Sequence, residues 1–157
     1  MSVLKSKRKE STAEYVNLSM KIFSGTLHFL AKLSNRYQRI FVEKVSGLAA
    51  DTMNFAEKAN NIRVTDDVTY SLRKGYLNQA RASVMALDVN MSYIWQILMQ
   101  NPQGCFTNTK GVTVSSQKAV EILNKMADEL GCQIDEFKNK VTKILDSDRE
   151  RYQKMKK

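Results

Sequence analysis

Apolar residues recur along this chain at steps of three and four. From Thr69 to Met99 the sequence runs TYSLRKGYLNQARASVMALDVNMSYIWQILM without a proline. Leu72, Tyr76, Ala80, Val84, Leu87, Met91, Ile94 and Leu98 fall on one face at helical spacing. The pattern predicts a long helix over about 66–99. A helix with one apolar stripe cannot bury it alone, so other helices must cover it. Three further segments carry the same period. Tyr15, Leu18, Ile22, Thr26, Phe29 and Leu33 predict a first helix at about 12–33, widened by Phe23 and Leu30. Phe41, Val45, Leu48, Thr52, Phe55 and Ala59 form a heptad-like seam in a second, at about 36–60. Leu123, Met126, Leu130, Ile134, Phe137, Val141 and Ile144 mark a fourth.

The punctuation between these stripes sets the topology. Ser11 and Glu14 have capping-box spacing at the first helix start. Ser34-Asn35 alone separates the first two helices, and so short a connection turns the chain back on itself. Asn60-Asn61 ends the second helix, Thr65 is the expected N-cap of the third, and Asp66 and Asp67 meet its positive end. Asn101-Pro102-Gln103-Gly104 stops the third helix. Between there and the Ser115 or Ser116 cap lies the one β-like stretch, where Phe106, Val112 and Val114 flank an Asn-Thr-Lys-Gly turn. The expected fold is all-α: an antiparallel up-down four-helix bundle with a short hairpin-like insert between helices three and four. Residues 1–10 are expected to form a flexible basic arm, 11–148 the bundle, and 149–157 a charged tail that frays or extends as solvated helix.

Charge changes the picture more than size does. The 157 residues carry a formal net charge of +9, which favours a polyanionic partner. Two basic groups are candidates for nucleic-acid contact. Lys32, Arg36 and Arg39 gather at the turn between helices one and two. Arg73, Lys74 and Arg81 follow a polar stripe with Asn78 on helix three. Against these stand ordinary solvated faces, with Arg39 pairing to Glu43 at i,i+4. Catalytic and metal chemistry has little to draw on. The chain has one histidine, His28, and two cysteines, Cys105 and Cys132, without metal spacing. It has no phosphate-loop or dinucleotide glycine pattern. Hence no catalytic residue, no metal ligand and no cofactor is expected. Asp88 and Asn90 are expected as buried polar groups setting register, and Trp95 as core edge. With no apolar run of membrane length and no signal-type N-terminus, the expectation is a cytoplasmic protein that does not enter a membrane.

Several stretches carry a resemblance to a known family. Leu33-Ser34-Asn35-Arg36-Tyr37-Gln38-Arg39, Phe55-Ala56-Glu57-Lys58-Ala59-Asn60, Tyr76-Leu77-Asn78-Gln79-Ala80-Arg81 and Leu130-Gly131 resemble the accessory variability determinant (Avd) of diversity-generating retroelements. That group sits within the four-helix-bundle family that includes proteins encoded in 23S rRNA intervening sequences. The likeness spans roughly residues 12–145. It implies a basic homopentamer, without catalytic activity, that binds a reverse transcriptase and nucleic acid (template RNA or cDNA) during mutagenic copying. No individual basic residue carries over from a family motif. The alternatives are an interaction module of the intervening-sequence type without a polymerase partner, and a peripheral membrane binder.

Overall fold

The computed structural model describes residues 13–108 and 110–156. The basic arm and the Ser11 cap lie outside them. Four helices carry the fold: α1 (Glu14–Leu30), α2 (Asn35–Asn60), α3 (Asp67–Gln100) and α4 (Ser116–Met155). Between α3 and α4, a 3-10 turn at Pro102–Phe106 leads into two-residue strands, β1 (Thr107–Asn108) and β2 (Gly111–Val112), paired antiparallel. Gly111 alone among the described residues has a positive φ, 107°, where a side chain would strain the backbone.

Contacts between helices run in opposite sequence directions. Down α3 and up α4, Arg73 meets Asp148, Asp88 meets Lys138, and Trp95 Nε1 donates to Asn124 Oδ1 at 3.2 Å. Glu14 pairs with Lys140 while Gly25 lies against Leu130, so α1 opposes α4 in the same way. The helices are packed in cyclic order, and α1 and α3 stand diagonally. One end of the bundle therefore collects the α1 and α3 N-termini with the α2 and α4 C-termini. The other collects the α1–α2 corner, the end of α3, the insert and the start of α4.

The core follows from the stripes, with shifts that have physical reasons. Ile22 and Phe29 of α1, Val45 of α2, Leu77, Leu87 and Ile94 of α3, and Leu123 and Phe137 of α4 are fully or almost fully buried. Each such side chain contributes about 1.5–3 kcal/mol relative to exposure. On α3 the expected Leu72 is 47% exposed, and Leu77 takes the core position. Arg73 occupies the inward face in that first stretch instead. On α2, Ala49, Ala56 and Ala59 are completely buried while Phe41, Leu48 and Phe55 are half-buried at the flanks. Small residues at the closest approach let the backbones draw together, and the aromatic rings seal the sides. Gly25 serves the same purpose on α1, since a Cβ there would sit 3.3 Å from Leu130 Cδ1.

Two helix starts and one helix end refine the expected boundaries. Asp66, not Thr65, caps α3: its carboxylate accepts from Thr69 N at 2.8 Å, and Thr69 Oγ1 accepts from the Asp66 amide at 3.1 Å. Donation from the Thr69 amide, then from its hydroxyl, holds the Asp66 carboxyl below its ordinary pKa. Ser115 caps α4 by accepting from Lys118 N. The charged C-terminal segment is helical to Met155. It is also anchored: Tyr152 stacks on Tyr70 at 4.1 Å with the rings 6° from parallel. Among the described residues, no helix is long and apolar enough to cross a membrane.

Candidate nucleic-acid interface

The six cations singled out by sequence do not form one surface. Lys32, Arg36 and Arg39 lie at the insert end of the bundle. Lys74 and Arg81 are on α3, with Lys74 near the opposite end, so it is about 30 Å from Arg36 at 1.5 Å per helical residue. Arg73 lies between helices.

Arg73 requires a correction. Expected on an open polar stripe, its side chain is only 16% exposed. Its Nε donates to Asp148 Oδ2 at 2.6 Å, and its Nη1 donates to the carbonyls of Ala59 and Ile62 at 2.7 and 3.0 Å. The guanidinium thus ties the end of α2, the start of α3 and the far part of α4 into one knot. A cation held this way has no charge to offer a phosphate. Beside it the Tyr15 hydroxyl is buried without a hydrogen bond, short of bonding geometry to Arg73. Burial pushes the Tyr15 pKa up to about 12, opposed by the Arg73 charge.

Lys74 and Arg81 are exposed. The Lys74 ammonium lies 5.8 Å from the Tyr70 ring centroid, and Arg81 has no ion pair among the described residues. Their strip runs beside Asp88, which pairs with Lys138, and Asp135, which does so too, so carboxylates dilute the positive field there.

The insert end is different. Arg36 and Arg39 stand exposed on the first turns of α2, and the Arg39–Glu43 pair does not form. Lys32 lies 4.6 Å from the centroid of the Phe106 ring, which fixes its ammonium beside the insert by cation–π attraction. Between the α1–α2 corner, the last turn of α3 and the 3-10 turn is a hollow of about 560 Å³. Its wall includes Lys32, Asn35, Tyr37, Gln38, Gln100 and Asn101. Gln38 is fixed by donating to the Leu33 carbonyl at 2.9 Å, and Asn101 Oδ1 accepts from Gly104 N at 3.2 Å. Cys105 also lines it, its thiol pKa raised by burial and pulled back by Lys32.

Sequence reading found the three cations but missed the hollow. The signal was available in the topology. In any up-down bundle the first corner and the end of helix three share an end, so Ser34-Asn35 and Gln100-Asn101 must face each other. Elsewhere, His28 lines a cleft with Lys21 and Glu129. No group of three or more His, Cys, Asp or Glu among the described residues is arranged to hold a metal ion. The chain matches no family model, no curated protein and no solved structure.

Proposed function

We propose that this chain is a non-enzymatic accessory protein of the Avd type, which binds nucleic acid at the insert end of its bundle and partners a reverse transcriptase in mutagenic cDNA synthesis. The observation that carries the binding half is the trio Lys32, Arg36 and Arg39 at the bundle end whose hollow has no carboxylate among its described lining residues, on a chain of net charge +9. The two arginines have no acidic partner among the described residues, so their charge is available to phosphates. Lys74 and Arg81 are exposed on α3, apart from this trio. The polymerase half rests on the resemblance of the helix-two and helix-three segments.

Self-association belongs to the same reading. The outward face of α3 carries Val68, Leu72, Gln79, Ala82, Ala86, Val89 and Tyr93, all exposed and none charged. Val68 is 75% exposed. An uncharged apolar strip along a long helix supports burial against another copy, in a closed ring such as a pentamer.

Binding of a labelled template RNA, followed by fluorescence anisotropy across a salt series, tests the electrostatic core of this reading. Affinity should fall linearly on a log–log plot, and the triple variant Lys32→Ala, Arg36→Ala, Arg39→Ala should reduce the slope by about 2, near 0.7 per lost contact on a single strand. Salt-insensitive binding, or a triple variant with the parent slope, would defeat it. Co-purification with a reverse transcriptase encoded beside this chain, with the mass of the assembly measured in solution, tests the partner and the ring.

A further inference from the structure

The hollow at the insert end has a wall unlike the other clefts. The cleft between α1 and α4 holds Glu129, the one between α3 and α4 holds Asp88, and the one at the opposite end of the bundle holds Glu14. Each of these three has a carboxylate in its wall, which in the first and the last stands beside lysines. The insert-end hollow has no carboxylate among the described residues of its wall. Its volume, about 560 Å³, falls in the range of small-molecule sites, roughly 300–1,000 Å³.

Its chemistry is that of a surface for a base, not only for a backbone. Asn35 and Gln100 are exposed and make no side-chain hydrogen bond to a described residue. Each carboxamide offers donors and an acceptor, matching the mixed edges of nucleobases. Tyr37 supplies an aromatic ring in the same wall, half-buried and braced by Phe41 at 6.5 Å between centroids. A ring held in place by its neighbour loses little freedom when a base stacks on it. Lys32, in the wall, stands where a flanking phosphate would lie. Bases inside a duplex cannot reach such a recess, because their faces and pairing edges are already occupied.

Resting on the nucleic-acid reading above, we infer that this hollow receives an unstacked nucleobase, so that the chain binds single-stranded nucleic acid in preference to duplex. Tyr37 stacks the base, Asn35 and Gln100 hydrogen-bond its edge, and Lys32 holds the backbone.

The two cysteines make the test possible in the unaltered protein. Cys105 lines the hollow, whereas Cys132 is exposed far along α4. The rate of reaction of each thiol with a chromogenic disulfide is measured with no nucleic acid, with a saturating short single-stranded RNA, and with the same sequence as a blunt duplex. A Cys132→Ser variant assigns the two rates. The single strand should slow Cys105 by tenfold or more and leave Cys132 unchanged, and the duplex should protect neither. In parallel, Tyr37→Ala should weaken single-strand affinity by about tenfold or more while Tyr37→Phe retains it, with duplex affinity unaltered in both. Full Cys105 reactivity in the RNA-bound protein, or equal affinity for strand and duplex, overturns the inference and leaves the nucleic-acid reading standing. Absence of binding to either form overturns both.

Discussion

Replacing Arg73 by methionine should cost this bundle a large part of its stability without touching its nucleic-acid chemistry. The reasoning starts from burial. The Arg73 and Asp148 side chains are 16% and 8% exposed, and the pair closes at 2.6 Å. Removing the guanidinium leaves the Asp148 carboxylate buried without its cation. It also strips the donors from the Ala59 and Ile62 carbonyls. Breaking one partner of a buried pair costs about 3–5 kcal/mol. Against a total of about 5–15 kcal/mol for a domain, that is a severe loss, equivalent to a drop on the order of 10 °C in Tm for a chain of this size. Asp148→Leu should cost less, because Arg73 keeps its two carbonyl partners. The double variant Arg73→Met, Asp148→Leu should recover much of the loss, with a coupling of roughly 1–3 kcal/mol, because no charge is then stranded. Urea unfolding followed by circular dichroism, on all four proteins, gives the cycle. As a control, Lys74→Ala and Arg81→Ala should stay within about 0.5 kcal/mol of the parent. Strictly additive losses, or single losses under about 1 kcal/mol, would show that the knot between α2, α3 and α4 does not hold the bundle.

Two further outcomes follow from the helix interiors. Gly47→Ala, Gly75→Ala and Gly131→Ala should each stabilise the fold by about 0.5–1 kcal/mol, since an added Cβ meets nothing within 4 Å and alanine is the better helix former; thermal melts of the single variants check this, and a fall in Tm would reveal unseen crowding. Tyr15 titrates at about 12 in the fold against 10 when free, so its contribution is intact below pH 10 and is lost as pH rises toward 12, by about 3 kcal/mol at 1.36 kcal/mol per unit. Tyr15→Phe should flatten that alkaline loss and leave stability at neutral pH nearly unchanged, because the hydroxyl has no hydrogen bond to lose; an unaltered pH profile of unfolding would contradict it.

The parts of the fold that sequence disclosed are those written in local period. Four stripes at steps of three and four place four helices, and Ser34-Asn35 and Asn101-Pro102 place their ends. What it hid depends on partners distant in the chain. Asp148 sits among DSDRER and reads as one more solvated acid; it is core only because Arg73 comes to meet it from α3. In that turn Arg73 faces inward and Leu72 outward, and the apolar stripe is taken up at Leu77. Tyr152 likewise gains a role in the fold only through Tyr70. On α2 the period was right but its centre was not, because hydrophobic size suggested Phe41, Leu48 and Phe55 where close packing prefers Ala49 and Ala56. The site shows the same division: charge located Lys32, Arg36 and Arg39, while the recess beside them exists only once four helices share an end.

The division of labour between the two bundle ends has a mechanical logic. At the end that holds Arg73, its guanidinium and the Asp148 carboxylate turn inward and are spent on each other. At the insert end, Arg36, Arg39 and the Asn35 and Gln100 amides are exposed and make no side-chain bond to a described residue, while Lys32 rests on the Phe106 ring. Unmatched cations close together repel, so this end gives up some stability, on the order of tenths of a kcal/mol per like-charged pair on a helix. A locked end supplies the reserve that makes such an open end tolerable. If so, a polyanion should raise the Tm of the parent protein by neutralising the insert end, and should raise it much less in the Lys32, Arg36, Arg39 alanine variant, which has already lost the repulsion.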